Sequence, residues 1–147
     1  MKLIVAWIGK TKQPAVQSLT EDYLKRLNQY SPADGIALKD EFALLKLSAG
    51  DSRTPRRWLV LLDSRGKQLS SEQLAELVRR HQESSSLPML FAVGPADGFS
   101  EDARRQADMI LSIGPMTLAH ELARVVLLEQ LYRAFTILKG HPYHLGH

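Results

Sequence analysis

The sequence predicts an α/β fold, in which a mainly parallel sheet is covered by helices on both faces. Four short apolar runs without polar alternation predict strands buried on both sides, at residues 3–8, 58–62, 87–93 and 109–113. Segments with helical spacing of apolar residues separate these runs, and this alternation is typical of a parallel sheet. A length of 147 residues suits one domain, so residues 1–147 are expected to form a single folding unit.

Residues that favour helix starts follow three of the predicted strands. Pro14 opens a helix that is expected to run to about Tyr30. Ser70, with Gln73 three residues later, predicts a capping box at the start of another helix. Ser100 is followed by two acidic residues and predicts a third capped start.

The segment between the first helix and the second strand is the least regular part of the chain. Residues 31–35, Ser-Pro-Ala-Asp-Gly, predict a loop. From residue 39 to 47, Leu38, Phe42 and Leu45 have helical spacing, while Leu45 and Leu47 alternate as in a strand. The helix is the preferred interpretation. A basic loop is expected at residues 51–57.

The last predicted helix is the longest and is apolar on nearly every side. Thr117 can cap its start, and Gly140 and Pro142 end it. A helix with apolar residues on most faces is expected to be covered by its own domain and by a second copy of the chain. Glu129 and Arg133 are four residues apart and are expected to form an ion pair, which spacing alone favours as a structural contact.

Other charged and polar groups of this region allow more than one interpretation. His120 and Arg124 are expected to contact a carboxylate or a ligand, since a charge in apolar surroundings needs a partner. The tail carries four further polar side chains, His141, Tyr143, His144 and His147. No cysteine or carboxylate stands in ligand spacing beside them, so no metal site is expected. A general base or an RNA contact fits them better, because histidine changes charge near neutral pH and tyrosine offers a stacking face.

Composition sets limits on the class of protein. Hydrophobic residues make up 44% and charged residues 24% of the chain, as in ordinary globular proteins. The absence of cysteine excludes disulfides and is consistent with a reducing cytoplasm, and the sequence shows neither a signal peptide nor a bilayer-spanning run. We therefore expect a cytoplasmic protein. The net charge of +3 permits a nucleic-acid partner without requiring one. The most basic candidates for phosphate contacts are Arg53, Arg56, Arg57, Arg65, Arg79 and Arg80.

The carboxyl ends of the predicted strands are the expected place for a ligand. In a parallel sheet, ligands bind beyond these ends, where the loops after Leu62, Val93 and Ile113 should converge on the last helix. On spacing alone, the loop from Gly94 to Gly98 is better explained as a turn closed by an aspartate than as a ligand contact. It matches neither a dinucleotide-binding nor a P-loop motif.

The combination of motifs near the end of the chain is far more specific to one family than any single motif in it. It covers residues 116–144, MTLAHELARVVLLEQLYRAFTILKGHPYH. They resemble the end of the RlmH family, SPOUT-class methyltransferases that methylate N3 of a pseudouridine in 23S ribosomal RNA. That family ends in a T-L-P-H turn, an E-Q-x-Y-R-A helix and an H-P-Y-H or E-P-Y-H tail. Weaker matches are the opening Lys2-Leu-Ile-Val-Ala, Leu62-Asp63 with Gly66-Lys67, and residues 94–100.

The resemblance implies a C-terminal trefoil knot, a rare exception among folds, and a homodimer packed through the knot helices. It also implies S-adenosylmethionine, bound in a bent form by three loops. Transferred position by position, the cofactor-binding residues are Leu62, Asp63, Gly94, Pro95, Gly98, Gly114, Pro115, Met116, Thr117, Leu118 and Ala119.

The resemblance further suggests a catalytic group in the tail and the last helix. Tyr143 and His144 are candidates for placing or deprotonating the base, and Arg133, oriented by Glu129, for stabilising negative charge on the ring oxygens. The expected partners are a second copy of the chain, whose tail can complete the site, and 23S ribosomal RNA in the assembled ribosome. No metal and no membrane are expected.

This chain departs from the family pattern at three places. The family usually has Gly-Gly-Pro-Glu-Gly where residues 94–98 read Gly-Pro-Ala-Asp-Gly, and Ala119 stands where it has proline. Residues 31–57 are shorter than usual, so a strand and part of a helix are expected to be missing or merged. Two alternative functions remain: a non-catalytic RNA-binding or ribosome-assembly protein of the same fold, and, if the tail is disregarded, an α/β nucleotide-binding regulator. Cofactor binding distinguishes the first from the enzyme.

Overall fold

A computed structural model describes residues 2–145 of the chain. Over these residues, five strands form one sheet in the order β2-β1-β4-β3-β5, and every neighbouring pair is parallel. The elements in chain order are β1 (Leu3–Ile8), α1 (Pro14–Leu27), β2 (Ala33–Leu38), α2 (Glu41–Ala49), β3 (Trp58–Gln68), α3 (Ser71–Ser84), β4 (Met89–Val93), α4 (Glu101–Gln106), β5 (Met109–Ser112) and α5 (His120–Leu138). His147, which the sequence grouped with the polar tail, lies outside the described residues.

Alternate residues of the central strands enter two separate cores. Val5 and Phe91 pack with residues of α1, α3 and α5 on one face of the sheet. Ala6 and Ala92 pack with residues of α2 and α4 on the other. The predicted mainly parallel sheet with helices on both faces is therefore confirmed, and the continuous apolar runs are explained by burial on both sides.

The segment from residue 31 to 57 contains a complete strand and helix, so the expectation that a strand was missing or merged is wrong. Strand β2 lies where a loop was predicted, and it pairs with β1 from Leu3↔Ala33 to Ile8↔Leu38. It is an edge strand with Asp34 and Gly35 exposed, and it therefore lacks a buried apolar run. The helix preferred for residues 39–47 is confirmed as α2.

Strand β3 is longer than the predicted run that ended at Leu62. Its pairing with β5 breaks after Leu62 and resumes at Lys67, which pairs with Leu111. The four residues between form a bulge, a device that bends a strand and re-aims its side chains. A Cβ at Gly66 would lie 2.6 Å from the carbonyl carbon of Ile110. Only glycine therefore allows the bulged strand to pass this close to β5.

Helix α5 begins at His120, and the prediction that Thr117 caps it is wrong. Its N-cap is Ala119, which makes no side-chain cap bond. Most of its apolar side chains are buried within the same chain, and Leu128 and Leu131 are fully buried. Leu122, by contrast, is 53% exposed. The most exposed apolar side chain of the helix therefore lies near its start, and both the second copy of the chain and the knot stay predictions.

The predicted caps of two other helices are confirmed. Ser70 and Gln73 form the capping box of α3, and the Ser100 hydroxyl accepts a hydrogen bond from the Ala103 N–H at the start of α4. Helix α1 ends at Leu27, a turn before the predicted end. No helix within residues 2–145 has the length and apolar character needed to cross a bilayer.

Candidate active site

The loops after β3, β4 and β5 and the start of α5 enclose a cavity of about 350 Å³. Nine of the eleven residues predicted to bind cofactor line it, namely Leu62, Asp63, Gly94, Pro95, Gly98, Gly114, Met116, Thr117 and Leu118. Pro115 and Ala119 belong to the same connection but do not line the cavity. His120 and Ala123, from the first turn of α5, complete the wall. The convergence of three loops at the carboxyl edge follows from the parallel strand order.

The first loop is held by an aspartate and two arginines. Asp63 is nearly buried and accepts hydrogen bonds from the backbone N–H of Arg65 at 2.9 Å and from its Nε at 3.2 Å. Arg104 of α4 lies 3.7 Å from the second carboxylate oxygen. Burial alone would raise the pKa of Asp63, but the bonds from Arg65 and the charges of both arginines lower it below its ordinary value. Asp63 therefore stays ionised and fixes the β3 bulge against α4.

Gly94 in the second loop lines the cavity and also makes room for a neighbouring ring. A Cβ at this position would lie 2.9 Å from Cε2 of Phe99. Packing against Phe99 therefore requires glycine here, and the contact of Gly94 with the cofactor stays a prediction. The turn is closed by the Gly98 N–H, which donates to the Pro95 carbonyl at 2.9 Å. Asp97, the residue expected to close it, lines the cavity.

The third loop is shaped by Ser112 and Gly114. The buried Ser112 hydroxyl donates to the Gly114 carbonyl at 3.0 Å and accepts from the Gly114 N–H at 3.1 Å. Gly114 has φ +137°, and a Cβ there would meet no atom within 4 Å. The positive φ requires glycine. Because the space on the Cβ side of Gly114 is open, a ligand can approach the backbone there.

We expect Gly114→Val to weaken cofactor binding by about tenfold or more. The strain of a β-branched residue at positive φ is about 1–3 kcal/mol, and the loop must shift to relieve it. Calorimetry with S-adenosylmethionine measures the effect. Gly140→Val is the matched control, because Gly140 also has positive φ and open surroundings but lies at the end of α5. Equal losses in both variants would contradict the assignment.

A fourth loop at the carboxyl edge, residues 9–13, was not predicted from the sequence. The Glu121 carboxylate accepts hydrogen bonds from the backbone N–H groups of Lys12 at 3.0 Å and Gln13 at 3.2 Å. It thus caps α1, whose own N-cap makes no side-chain bond. Burial alone would raise the pKa of Glu121, but these bonds and the Arg124 charge lower it.

Arg124 holds the same loop from within the core. It is 1% exposed, its guanidinium stacks 4.0 Å from the Trp7 ring centroid, and it donates to the Thr11 hydroxyl at 2.8 Å. Burial lowers the pKa of Arg124, and the Glu121 charge opposes this shift. Its closest partners are therefore a ring and a hydroxyl, where the sequence had suggested a carboxylate or a ligand.

The four residues predicted to be catalytic form one cluster at the far end of α5. Arg133 donates to Glu129 at 2.9 Å, which confirms the predicted ion pair, and to Nδ1 of His144, also at 2.9 Å. The Tyr143 hydroxyl donates to Glu129 at 2.7 Å. Nε2 of His144 lies 2.9 Å from Glu72 of α3, a residue that the sequence did not single out. We call these five residues the tail cluster.

The contacts of the tail cluster define its protonation. Because Arg133 donates to Nδ1 of His144, that nitrogen is the acceptor, and Nε2 carries the hydrogen that faces Glu72. Burial, then the hydrogen bond to Glu129, raises the pKa of Tyr143 far above its ordinary value. Tyr143 is therefore a phenol near neutral pH. Of these two side chains, only that of His144 has a ring nitrogen that can accept a proton, because the Tyr143 oxygen already carries one.

Helix α5 separates the tail cluster from the cavity of the same chain. His120 lines the cavity, and Glu129 and Arg133 follow nine and thirteen residues later. At 1.5 Å per residue, they lie about 14 and 20 Å farther along the helix axis. Reacting atoms need to approach to about 3–3.5 Å. The cluster therefore does not reach the cavity of its own chain.

The sheet, its loops and the cavity at the carboxyl edge define a SPOUT methyltransferase. The family model described as predicted SPOUT methyltransferase matches residues 1–144. A probable methyltransferase from Bordetella pertussis Tohama I has the same fold, with a TM-score of 0.58, 12% identity and coverage of 90% of this chain and 93% of that chain. A probable methylase family protein from Haemophilus influenzae Rd KW20 also has a TM-score of 0.58, with 14% identity and coverage of 96% and 69%.

Curated relatives match the chain along its whole length. They carry the name ribosomal RNA large subunit methyltransferase H. The relative from Koribacter versatilis is 54% identical over 147 residues and covers all of both chains. Those from Trichlorobacter lovleyi and Geobacter sulfurreducens are 39% and 38% identical, each over 98% of this chain and 99% of the relative. The chain therefore belongs to the ribosomal RNA large subunit methyltransferase H family.

SPOUT methyltransferases use S-adenosylmethionine, and the cavity fits this cofactor. Its volume lies in the range of about 300–1,000 Å³ typical of small-molecule sites. Leu62, Ile113 and Leu118 give it apolar walls, while Asp97 and the loop backbones supply polar groups. The open space beside Gly114 is what a backbone contact to a cofactor needs. Within the described part of the chain, no group of histidine, aspartate or glutamate side chains could hold a metal ion.

Proposed function

We propose that the protein is a homodimer that methylates N3 of a pseudouridine in 23S ribosomal RNA of the assembled ribosome, and that it therefore acts in the cytoplasm. The observation that carries this proposal is the pair of sites, a cofactor-sized cavity and a separate cluster of acid–base groups. The full-length relative at 54% identity, named as a large-subunit ribosomal RNA methyltransferase, supports the substrate class.

The distance between the two sites supports a dimer in which each active site draws on two chains. A two-fold axis places the same surface patch of each chain against the other. Leu118 and Leu122 beside the cavity, and Leu19 on the adjacent α1, are 40%, 53% and 42% exposed. A two-fold axis that passes between the cavity and the tail cluster would place the tail cluster of one chain beside the cavity of its partner.

The proposed chemistry requires removal of the proton on N3, which lies between two carbonyl groups of the base. S-adenosylmethionine, when bound, supplies the methyl group from its sulfonium. Arg133 turns its N–H groups from His144 to the ring oxygens, where negative charge develops. Nδ1 of His144 then accepts the N3 proton in place of the hydrogen bond from Arg133. Glu129 and the Tyr143 hydroxyl keep Arg133 in place through the contacts seen in the tail cluster.

Calorimetry and a methyl-transfer assay test this function together. S-adenosylmethionine should bind without added metal, and ribosomes lacking the modification should accept methyl groups. Correctly folded protein that binds neither the cofactor nor its demethylated product would instead support the non-catalytic RNA-binding alternative.

The exposed leucines give a direct test of the dimer. We expect Leu19→Glu with Leu122→Glu to halve the mass found by light scattering while the far-UV spectrum is kept, because both side chains are exposed in one chain. Leu128→Glu, in contrast, should unfold the protein, because Leu128 is fully buried in its own chain. A wild-type mass of one chain at micromolar concentration would contradict the dimer.

A further inference from the structure

We propose that Lys10, Lys12 and Lys39 form a phosphate-binding surface, the lysine ridge, which holds the RNA backbone beside the nucleotide that meets the cofactor at the cavity. This inference rests on the proposed function, because it assigns further contacts to the same RNA substrate. None of the three lysines lines the cavity or belongs to the tail cluster.

Strand register places the lysine ridge next to the cavity. Strands β1, β2 and β4 run parallel, and Trp7 pairs with Val93 while Ile8 pairs with Leu38. The segments after β1 and β2, which carry Lys10 and Lys39, therefore leave the sheet at the same edge as the second cavity loop. A hydrogen bond of 2.9 Å from the Gly9 N–H to the Leu38 carbonyl joins these two segments.

The other end of the ridge is hydrogen-bonded to the start of helix α5, which forms part of the cavity wall. The backbone N–H of Lys12 is bonded to Glu121, the residue that follows the cavity-lining His120. The ridge thus extends from the cavity across the ends of β1 and β2. A strand of RNA whose nucleotide meets the cofactor at the mouth of the cavity has to cross one of the surfaces around it, and this one carries three exposed lysines.

The ammonium groups of the ridge are open to contact from solvent. All three lysines are exposed, and none has an ion-pair or side-chain hydrogen-bond partner among residues 2–145. Nearby carboxylates are bound to backbone N–H groups instead: Asp40 to Ala43, Glu41 to Ser100, and Glu121 to Lys12. Unpaired ammonium groups that face solvent are ready to bind phosphate oxygens.

Four of the six arginines that the sequence suggested for phosphate binding are less suited to it, because they are already paired with carboxylates. Arg79 is paired with Glu76 and Glu83, and Arg80 with Glu76. Arg56 is paired with Asp108 at 3.0 Å, and Arg65 is held by the buried Asp63. An arginine that must first break an ion pair with a carboxylate gains less free energy when it binds a phosphate. The free lysines are therefore the better candidates.

The backbone that carries Lys10 and Lys12 is held in place before RNA arrives. Glu121 bonds the loop at two N–H groups, and Arg124 bonds Thr11 from the core. Gly9, with φ +103°, provides the turn at the end of β1. A fixed loop loses little conformational entropy on binding, which favours its use as a docking element.

The test replaces Lys10, Lys12 and Lys39 together by glutamine and measures methyl transfer to ribosomes at several salt concentrations. We expect KM for ribosomes to rise roughly tenfold or more at low salt, and the slope of log affinity against log salt to fall by about 2–3. Cofactor affinity and kcat at saturating ribosomes should not change. Replacing the same three residues by arginine should preserve the wild-type values.

A triple variant of Lys25, Lys46 and Lys67 to glutamine removes the same charge from exposed positions outside the ridge and should behave as wild type. An equal rise in KM in this control, or an unchanged KM and salt slope in the ridge variant, would overturn the proposal. Co-sedimentation with ribosomes measures the same affinities without turnover. If wild-type protein transfers no methyl group, the proposed function is wrong. The co-sedimentation measurements still show whether the lysine ridge binds the ribosome.

Discussion

Replacing Tyr143 and His144 together by alanine should lower methyl transfer to ribosomes by about 10²–10⁴-fold, the loss expected for a positioned acid–base group. His144 loses its acceptor nitrogen, and Arg133 loses two of the contacts that hold it, the His144 ring and the Tyr143 ring at 5.0 Å. Cofactor affinity should stay within a few-fold of wild type, because neither residue lines the cavity. Single-turnover transfer and calorimetry on the same samples measure the two effects.

Leu145→Ala is the matched control for this variant. Leu145 follows His144 directly, is 81% exposed and lies in the same tail. Its truncation should leave methyl transfer unchanged. Full activity in the double variant would show that the tail cluster has no part in the chemistry, and a parallel loss of cofactor binding would place it in the cofactor pocket instead.

A heterodimer of two impaired chains, assayed at limiting S-adenosylmethionine, should regain about half of the wild-type activity if each active site draws on two subunits. One chain carries Gly114→Val and has an intact tail, and the other carries the Tyr143→Ala and His144→Ala changes and has an intact cavity. One of the two composite sites then combines an intact cavity with an intact tail. Two affinity tags on co-expressed chains isolate the mixed species, whose methyl transfer is compared with that of both impaired homodimers.

The same experiment separates a composite site from a site within one chain. If the tail served the cavity of its own chain, each subunit of the mixed species would hold one damaged part, and the heterodimer would be as inactive as either parent. That result would contradict the separation of about 14–20 Å that the helix imposes.

The sequence predicted the parts of the fold that burial on both faces dictates. Residues such as Val5 and Phe91 stand in continuous apolar runs because the sheet is covered on both sides. Strand β2 was not predicted because it is an edge strand with Asp34 and Gly35 exposed, and it therefore has no continuous apolar run. The start of α5 was misplaced because Thr117 lines the cavity rather than capping the helix, and a tertiary role of this kind leaves no local signal.

The site was predictable where topology or local spacing determines it. Parallel strands bring their carboxyl ends together, and Glu129 and Arg133 are neighbours on any helix. Contacts between distant segments were not predictable, such as His144 with Glu72 or Asp63 with Arg104, since only the folded chain brings them together. The packing of Gly94 against Phe99 was not predictable either, because sequence alone cannot show that Phe99 occupies the space beside Gly94.

The most direct measurement of the central claim is transfer of a labelled methyl group from S-adenosylmethionine to large ribosomal subunits that lack the modification, followed by mass spectrometry of the RNA. The predicted result is one methyl group per subunit, located on N3 of a pseudouridine in 23S ribosomal RNA, with little transfer to free RNA. Cofactor-bound, correctly folded protein that transfers no label, or that labels a different class of nucleotide, would contradict the account.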